Sequence, residues 1–203
     1  MCSSDLKEAL YVSQPPEVER TWTADASGDW TDIGSWYYWN RPDTATEIAV
    51  FGSAAAGLGI VGIDDEYTVR GLRFSGATGY EIAGGGGLRI EASSGPGSIT
   101  VEAGLNKIDA DVHLAGIVYA SVADDAELFL AAGLTMTDGA MVNLSGAGRL
   151  AVAESFDMGS GWLVVDGPEP FRLPRTRPAR SAPVPFNWSS RKGPNSASAR
   201  YIH

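Results

Sequence analysis

Cysteine occurs once in the 203 residues, at Cys2, which excludes an intrachain disulfide and any metal centre built on several thiolates. Long apolar runs are missing too. No stretch reaches the roughly 18 residues that a helix needs to cross a bilayer, so membrane insertion by this segment is not expected, and no cationic start leads into an apolar signal segment. Histidine appears only twice; a paired-histidine metal motif is absent, as are a Gly-x-Ser-x-Gly elbow and a Cys/His couple. Positive charge is scarce over most of the chain, residues 1–167 carrying 8 Lys and Arg against 24 Asp and Glu. Such an acidic body repels phosphate backbones, so no nucleic-acid partner is expected.

Helical periodicity is also missing. In its place an apolar beat of two residues recurs from about residue 60 to 165: Tyr80/Ile82, Leu88/Ile90, Ile99/Val101, Val112/Leu114, Leu128/Leu130, Leu134/Met136, Val142/Leu144 and Leu150/Val152. Alternation at this period puts both side chains on one face of an extended chain. Each beat is too short to hold a strand pair by itself, so many must stack to close a core. Their spacing suits a closed antiparallel sandwich or a parallel β-helix. The short strands, the Gly, Ser and Ala turns and the small inward residues favour the β-helix, with roughly 20 residues per turn and about five turns. The expected fold is all-β.

Four segments follow from composition. Residues 1–20 read as a polar leader or linker, in which Pro15 and Pro16 impose extension. The first six, Met1 to Leu6, resemble translated sequencing-adapter DNA, on which reading the chain is a fragment. Residues 21–59 are aromatic-rich, with Trp22, Trp30, Trp36 and Trp39 beside Tyr37 and Tyr38. Residues 60–167 are the repeat region, where the phase change at Arg70-Gly71 predicts a corner and Gly84–Gly87 predicts a turn. Residues 168–203 hold 7 of the 11 prolines but one of the 25 glycines. They read as a basic, disordered tail or a frameshifted terminus.

One order of residues is distinctive: Trp22, Gly28-Asp29-Trp30, Trp36, Pro42-Asp43-Thr44-Ala45, Ala49-Val50-Phe51, then Tyr67 to Phe74 and Gly79-Tyr80-Glu81-Ile82. It resembles the start of bacterial surface proteins built of autotransporter-associated β-strand repeats, over about residues 21–165. The resemblance implies a right-handed parallel β-helix, export, and display as a passenger-type module on the outer surface of a Gram-negative-type bacterium or release from it. Ser35 departs from the family's Asn before the second tryptophan.

Candidate sites are few. Consecutive Tyr37, Tyr38 and Trp39 cannot all face inward, so at least one ring is expected at the surface, where it can stack on a sugar; Trp22, Trp30 and Trp36 are expected to cap the open first turn. The acidic turns Asp64-Asp65-Glu66 and Asp124-Asp125 with Glu127 lack the ligand spacing of a calcium loop and read as solvated charge. Lys107, Asp109, Asp111 and His113 alternate with Ile108, Ala110, Val112 and Leu114, which is one outward strand face and the chain's only array suited to acid–base work. No metal or cofactor is expected. The functional expectation is a non-enzymatic structural or adhesive module whose partners are surface glycans or other cell-surface proteins. The alternatives are a carbohydrate-binding module using the Trp22–Trp39 region and a fragment of a β-helix polysaccharide-degrading enzyme.

Overall fold

The computed structural model describes residues 17–25 and 27–166, and the backbone of 171–172 and 198–201. Residues 1–16 of the leader expected over 1–20 and most of the tail expected over 168–203 lie outside the described residues, while Val18, Glu19 and Arg20 of that leader belong to the first strand. Among the described residues the regular structure is strand apart from two short 3-10 turns: β1 (Val18–Thr21), β2 (Ser27–Asp29), β3 (Glu47–Phe51), β4 (Gly59–Gly62), β5 (Glu66–Val69), β6 (Gly71–Phe74), β7 (Tyr80–Ile90), β8 (Gly97–Val101), β9 (Leu105–Leu114), β10 (Ile117–Val122), β11 (Glu127–Leu130), β12 (Gly133–Met136), β13 (Met141–Gly146), β14 (Arg149–Val152), β15 (Ser155–Asp157), β16 (Trp162–Asp166), β17 (Phe171–Arg172) and β18 (Ser198–Tyr201). Among these strands every pairing is parallel except that of β18 on β16.

Parallel pairing of such short strands wraps the chain into a β-solenoid. The first stack runs β1-β3-β6-β8-β10-β13-β16, with β18 on its edge, and the second runs β2-β4-β7-β9-β11-β14-β17. The C-terminal halves of β7 and β9 join β5, β12 and β15 in a third stack. About five complete turns result. Ile48 pairs with Gly71, Gly71 with Ser98, Ser98 with Tyr119, Tyr119 with Asn143 and Asn143 with Val164, so a turn consumes 21 to 27 residues and its corners vary in length. The stack already includes β1 and β3, ahead of the point where the two-residue beat settles.

Every member of the eight beats is buried, and the inward side chains form one continuous apolar cluster through the turns. Burying each Leu, Ile or Val contributes about 1.5–3 kcal/mol, which is how strands of four or five residues are held. The core changes character along the axis. Its first turns are filled by Trp22, Trp30, Trp36, Phe51, Phe74 and Tyr80, and its later turns by aliphatic side chains. Among the described residues four buried side chains are polar or charged, Ser35, Glu47, Arg70 and Asn106; Asn106 accepts from the Tyr80 N–H at 3.0 Å and donates to the Ala103 carbonyl at 2.9 Å. It ties two adjacent turns and seals the bend that precedes β9.

Corners explain the irregular spacing. At the expected corner, β5 ends at Val69 and β6 starts at Gly71, and the buried Arg70 guanidinium donates to the Ser94 carbonyl at 2.8 Å and pairs with Glu17 at 2.8 Å. Between the second and third stacks, β7 spends Gly84, Gly85 and Gly86 where β9 spends only Ala110, because Ala83 pairs with Asp109 and Gly87 with Asp111. A β-carbon on Gly84, whose φ is +150°, would lie 2.0 Å from the Ile63 carbonyl oxygen, and one on Gly86 2.2 Å from that of Asp65. The tetraglycine run is thus a bulge pressed onto the preceding turn.

Candidate functional site: an aromatic loop on the first turn

The segment between β2 and β3 is built on three buried indoles. Asp29 closes β2 by accepting from the Thr31 hydroxyl and N–H, and these bonds hold its pKa below the ordinary carboxylate value. Asp32 then caps the short 3-10 turn Ile33–Ser35, accepting from the Gly34 N–H at 2.9 Å. This delivers Trp36 into the core, edge-on to Trp22 with ring centres 5.1 Å apart and to Trp30 at 5.0 Å. Phe51 of β3 packs within about 6 Å of all three. Gly28 makes room for them, since a β-carbon there would stand 3.0 Å from the Trp22 ring. The expected cap is therefore an aromatic core inside the first turns.

Beyond Trp36 the chain leaves the core. Tyr37–Trp39 form a second 3-10 turn in which Tyr38 (φ 59°, ψ 26°) and Trp39 (φ 52°) both occupy left-handed backbone. Two bulky residues in succession seldom do so, and each costs about 1–2 kcal/mol. The three rings stand outward, with exposures of 55% for Tyr37, 77% for Tyr38 and 75% for Trp39. Tyr37 and Tyr38 have ring centres 4.1 Å apart, and the Tyr38 hydroxyl raises the Tyr37 phenol above its ordinary pKa.

Both flanks of this turn are pinned. Ahead of it, the Trp36 indole donates to the Trp30 carbonyl at 3.0 Å. Behind it, Asn40 turns its carboxamide oxygen to Arg20 at 2.8 and 2.9 Å, and the Pro42 carbonyl accepts from the Trp30 indole at 3.0 Å. Arg41 lies over the Tyr67 ring, 5.7 Å from its centre. Buried Glu47 collects the rest, accepting from Arg20 Nε at 2.6 Å, the Asp43 N–H at 3.1 Å and the Thr44 hydroxyl at 3.0 Å. Burial pushes its pKa up, but these donors and the Arg20 charge outweigh burial and hold it below the ordinary value. The cations beside the three rings are thus already engaged, by Glu47 and by Asp43 at 3.7 Å.

The second candidate array is divided by the fold. Lys107 and Asp109 lie in the half of β9 that pairs with the second stack, Asp111 and His113 in the half that lies between the C-terminal half of β7 and β12. Lys107 Nζ sits 2.8 Å from both Asp109 and Glu81, which raise its pKa and keep it a cation. Asp111 accepts from the Gly133 N–H at 3.1 Å, and His113 Nε2 is 3.9 Å from Glu66. The four residues thus fall into two separate groups: Lys107 is paired with Asp109 on its own strand and with Glu81 across strands, while Asp111 is bonded to the Gly133 backbone and His113 lies near Glu66.

Among the described residues no cluster of three His, Cys, Asp or Glu has metal-site geometry, and no helix is long and apolar enough to cross a membrane. No protein-family model, curated protein or solved structure matches the chain.

Proposed function

We propose that the chain is a non-enzymatic structural and adhesive module of a bacterial surface or secreted protein, of the passenger type that its Trp22–Phe74 pattern resembles. The solenoid is the spacer, each turn adding about 4.8 Å, and the Tyr37-Tyr38-Trp39 loop is the adhesive contact, directed at a carbohydrate. One observation carries this reading: three exposed rings, two of them on left-handed backbone, are held between buried anchors. Strain of this kind persists where the surrounding structure over-determines it, and it marks sites of function. A ring platform whose neighbouring charges are internally paired suits an uncharged, ring-shaped ligand, with little ordering entropy lost on binding.

Titration of tryptophan fluorescence with a panel of neutral oligosaccharides tests the contact. Trp39 is the exposed indole of the loop, so ligand stacking shifts its emission, and Trp39→Ala removes the loop's share of that shift while the fold is kept. An unchanged titration in Trp39→Ala removes the loop from the reading. Release of reducing ends from pectin-like polymers by the purified chain would replace the adhesive reading with the enzymatic one.

A further inference from the structure

The outer faces of the solenoid differ in charge. Outward positions of the second and third stacks carry Glu81, Lys107, Asp109, Arg89, Glu127 and Arg149, joined in ion pairs. Outward positions of the first stack from β8 to β16 are uncharged until its last residue. In register they form three columns: Ile117–Met141–Trp162, Ser98–Tyr119–Asn143–Val164 and Thr100–Ser121–Ser145. Charge returns at the borders, at Arg73 beside Thr100, at Glu102 just after β8, at Asp166 beside Ser145 and at Arg200 of β18 in register with Val164. Four large side chains in this field are half open: Ile117 at 47%, Tyr119 at 51%, Met141 at 38% and Trp162 at 45%. In a chain with a net charge of −10, an unbroken neutral field that exposes Tyr and Trp asks for an occupant.

Size and chemistry select it. Four strands about 4.8 Å apart, with three outward positions each, span roughly 15 by 15 Å. The projected area of roughly 200 Å² is far below the about 800 Å² per partner that a stable protein pair buries, so a second copy would be held too weakly by this field. The absence of charge disfavours uronate, sulfate and phosphate ligands. Hydroxyl and amide groups interleaved with two aromatic rings match the alternating CH faces and hydroxyls of a sugar. The strand spacing of about 4.8 Å is also close to the length of one pyranose in an extended chain, so successive sugars would meet successive strands.

We infer that the outer face of β8, β10, β13 and β16 binds a neutral, extended glycan along the solenoid axis, stacked on Tyr119 and Trp162 and hydrogen-bonded by Ser98, Ser121 and Asn143. This face shares no residue with the Tyr37–Trp39 loop, and the two sites are tested apart by silencing the loop first.

The experiment is calorimetric titration of the Trp39→Ala chain with cellohexaose, mannohexaose and xylohexaose. At least one hexaose binds. Adding Tyr119→Ser and Trp162→Ser lowers its affinity tenfold or more, while circular dichroism and the melting temperature stay unchanged because both side chains point outward. Trp162→Phe retains most of the affinity. The inference is overturned if no neutral hexaose binds in the Trp39→Ala background, if the double serine variant binds undiminished, or if polygalacturonate binds more tightly than the neutral chains. It is also overturned if sedimentation shows a dimer that the double variant dissolves, which would give the face to a second copy. None of these outcomes bears on the loop, whose own test is the Trp39→Ala comparison.

Discussion

Trp30 donates its indole N–H to the carbonyl of Pro42 at 3.0 Å, joining the end of β2 to the far side of the exposed turn. The bond is buried, and it shapes the loop as well as the core. Because the indole also packs on Trp36, Phe51 and Tyr67, the two contributions separate by substitution. Trp30→Ala should cost about 3–5 kcal/mol, as for other buried aromatics. Trp30→Phe keeps most of the apolar area but leaves the Pro42 carbonyl unpaired, and should cost about 1–3 kcal/mol. Urea melts of the two variants check the order.

The tetraglycine corner supplies a contrast within one motif. Nothing lies within 4 Å of a β-carbon placed on Gly85, whereas one on Gly86 meets the Asp65 carbonyl oxygen at 2.2 Å. Gly85→Ala should therefore leave stability within about 0.5 kcal/mol. Gly86→Ala must push β7 away from the preceding turn and should cost about 1–3 kcal/mol. Thermal melts of the two neighbours decide it; equal losses would mean that the bulge is not pressed on the turn below.

The contrast between Gly85 and Gly86 also shows what the sequence withholds. A two-residue period is local, so the inward fate of Ile82, Leu88, Ile99, Val142 and their partners follows from alternation alone, whereas the preference for a solenoid over a sandwich rests on the short strands, the Gly, Ser and Ala turns and the small inward residues. Three consecutive rings at 37–39 cannot all be inward, and that too is a local argument. Which outward residues become neighbours depends instead on corner lengths, which vary because β7 spends three residues at a corner that β9 turns with one. The grouping of Tyr119, Asn143 and Val164 in one column is therefore invisible until register is known. The same holds for the division of Lys107 and Asp109 from Asp111 and His113. Glu47 was illegible for another reason: its donors, Arg20, Asp43 and Thr44, come from different segments.

Glu47 also sets an acid limit. Its folded pKa lies below the ordinary value of 4.5, so on acidification the unfolded chain takes up the proton first. Its contribution is complete above the unfolded pKa and is lost as pH falls through the lower folded one. The urea midpoint should drop below about pH 4.5. Glu47→Gln cannot ionise and should flatten part of that slope, while lowering stability at pH 7 by about 1–3 kcal/mol through the loss of its charge-assisted bonds. A slope identical in Glu47→Gln and the parent would reject this assignment.

Tyr38 offers the sharpest test of the loop, because stability and binding should move in opposite directions. Its left-handed backbone, φ 59°, costs a side-chain-bearing residue about 1–2 kcal/mol. Glycine removes that cost but gives the unfolded chain more freedom, worth about 0.5–1 kcal/mol. Tyr38→Gly should therefore gain up to about 1 kcal/mol, since the ring it deletes is mostly exposed and contributes little burial. Tyr38→Ala retains the backbone cost and should not gain. Both variants lose the ring that meets Tyr37 at 4.1 Å, and both should bind a neutral oligosaccharide more weakly at the loop. Urea melts and fluorescence titration of the same two proteins read both effects. A more stable Tyr38→Gly with weakened binding would mean that the strain is maintained to hold the rings outward. A Tyr38→Gly that is no more stable than Tyr38→Ala would mean that the backbone at this turn is not strained, and the reading of the loop as a preorganised contact would fall with it.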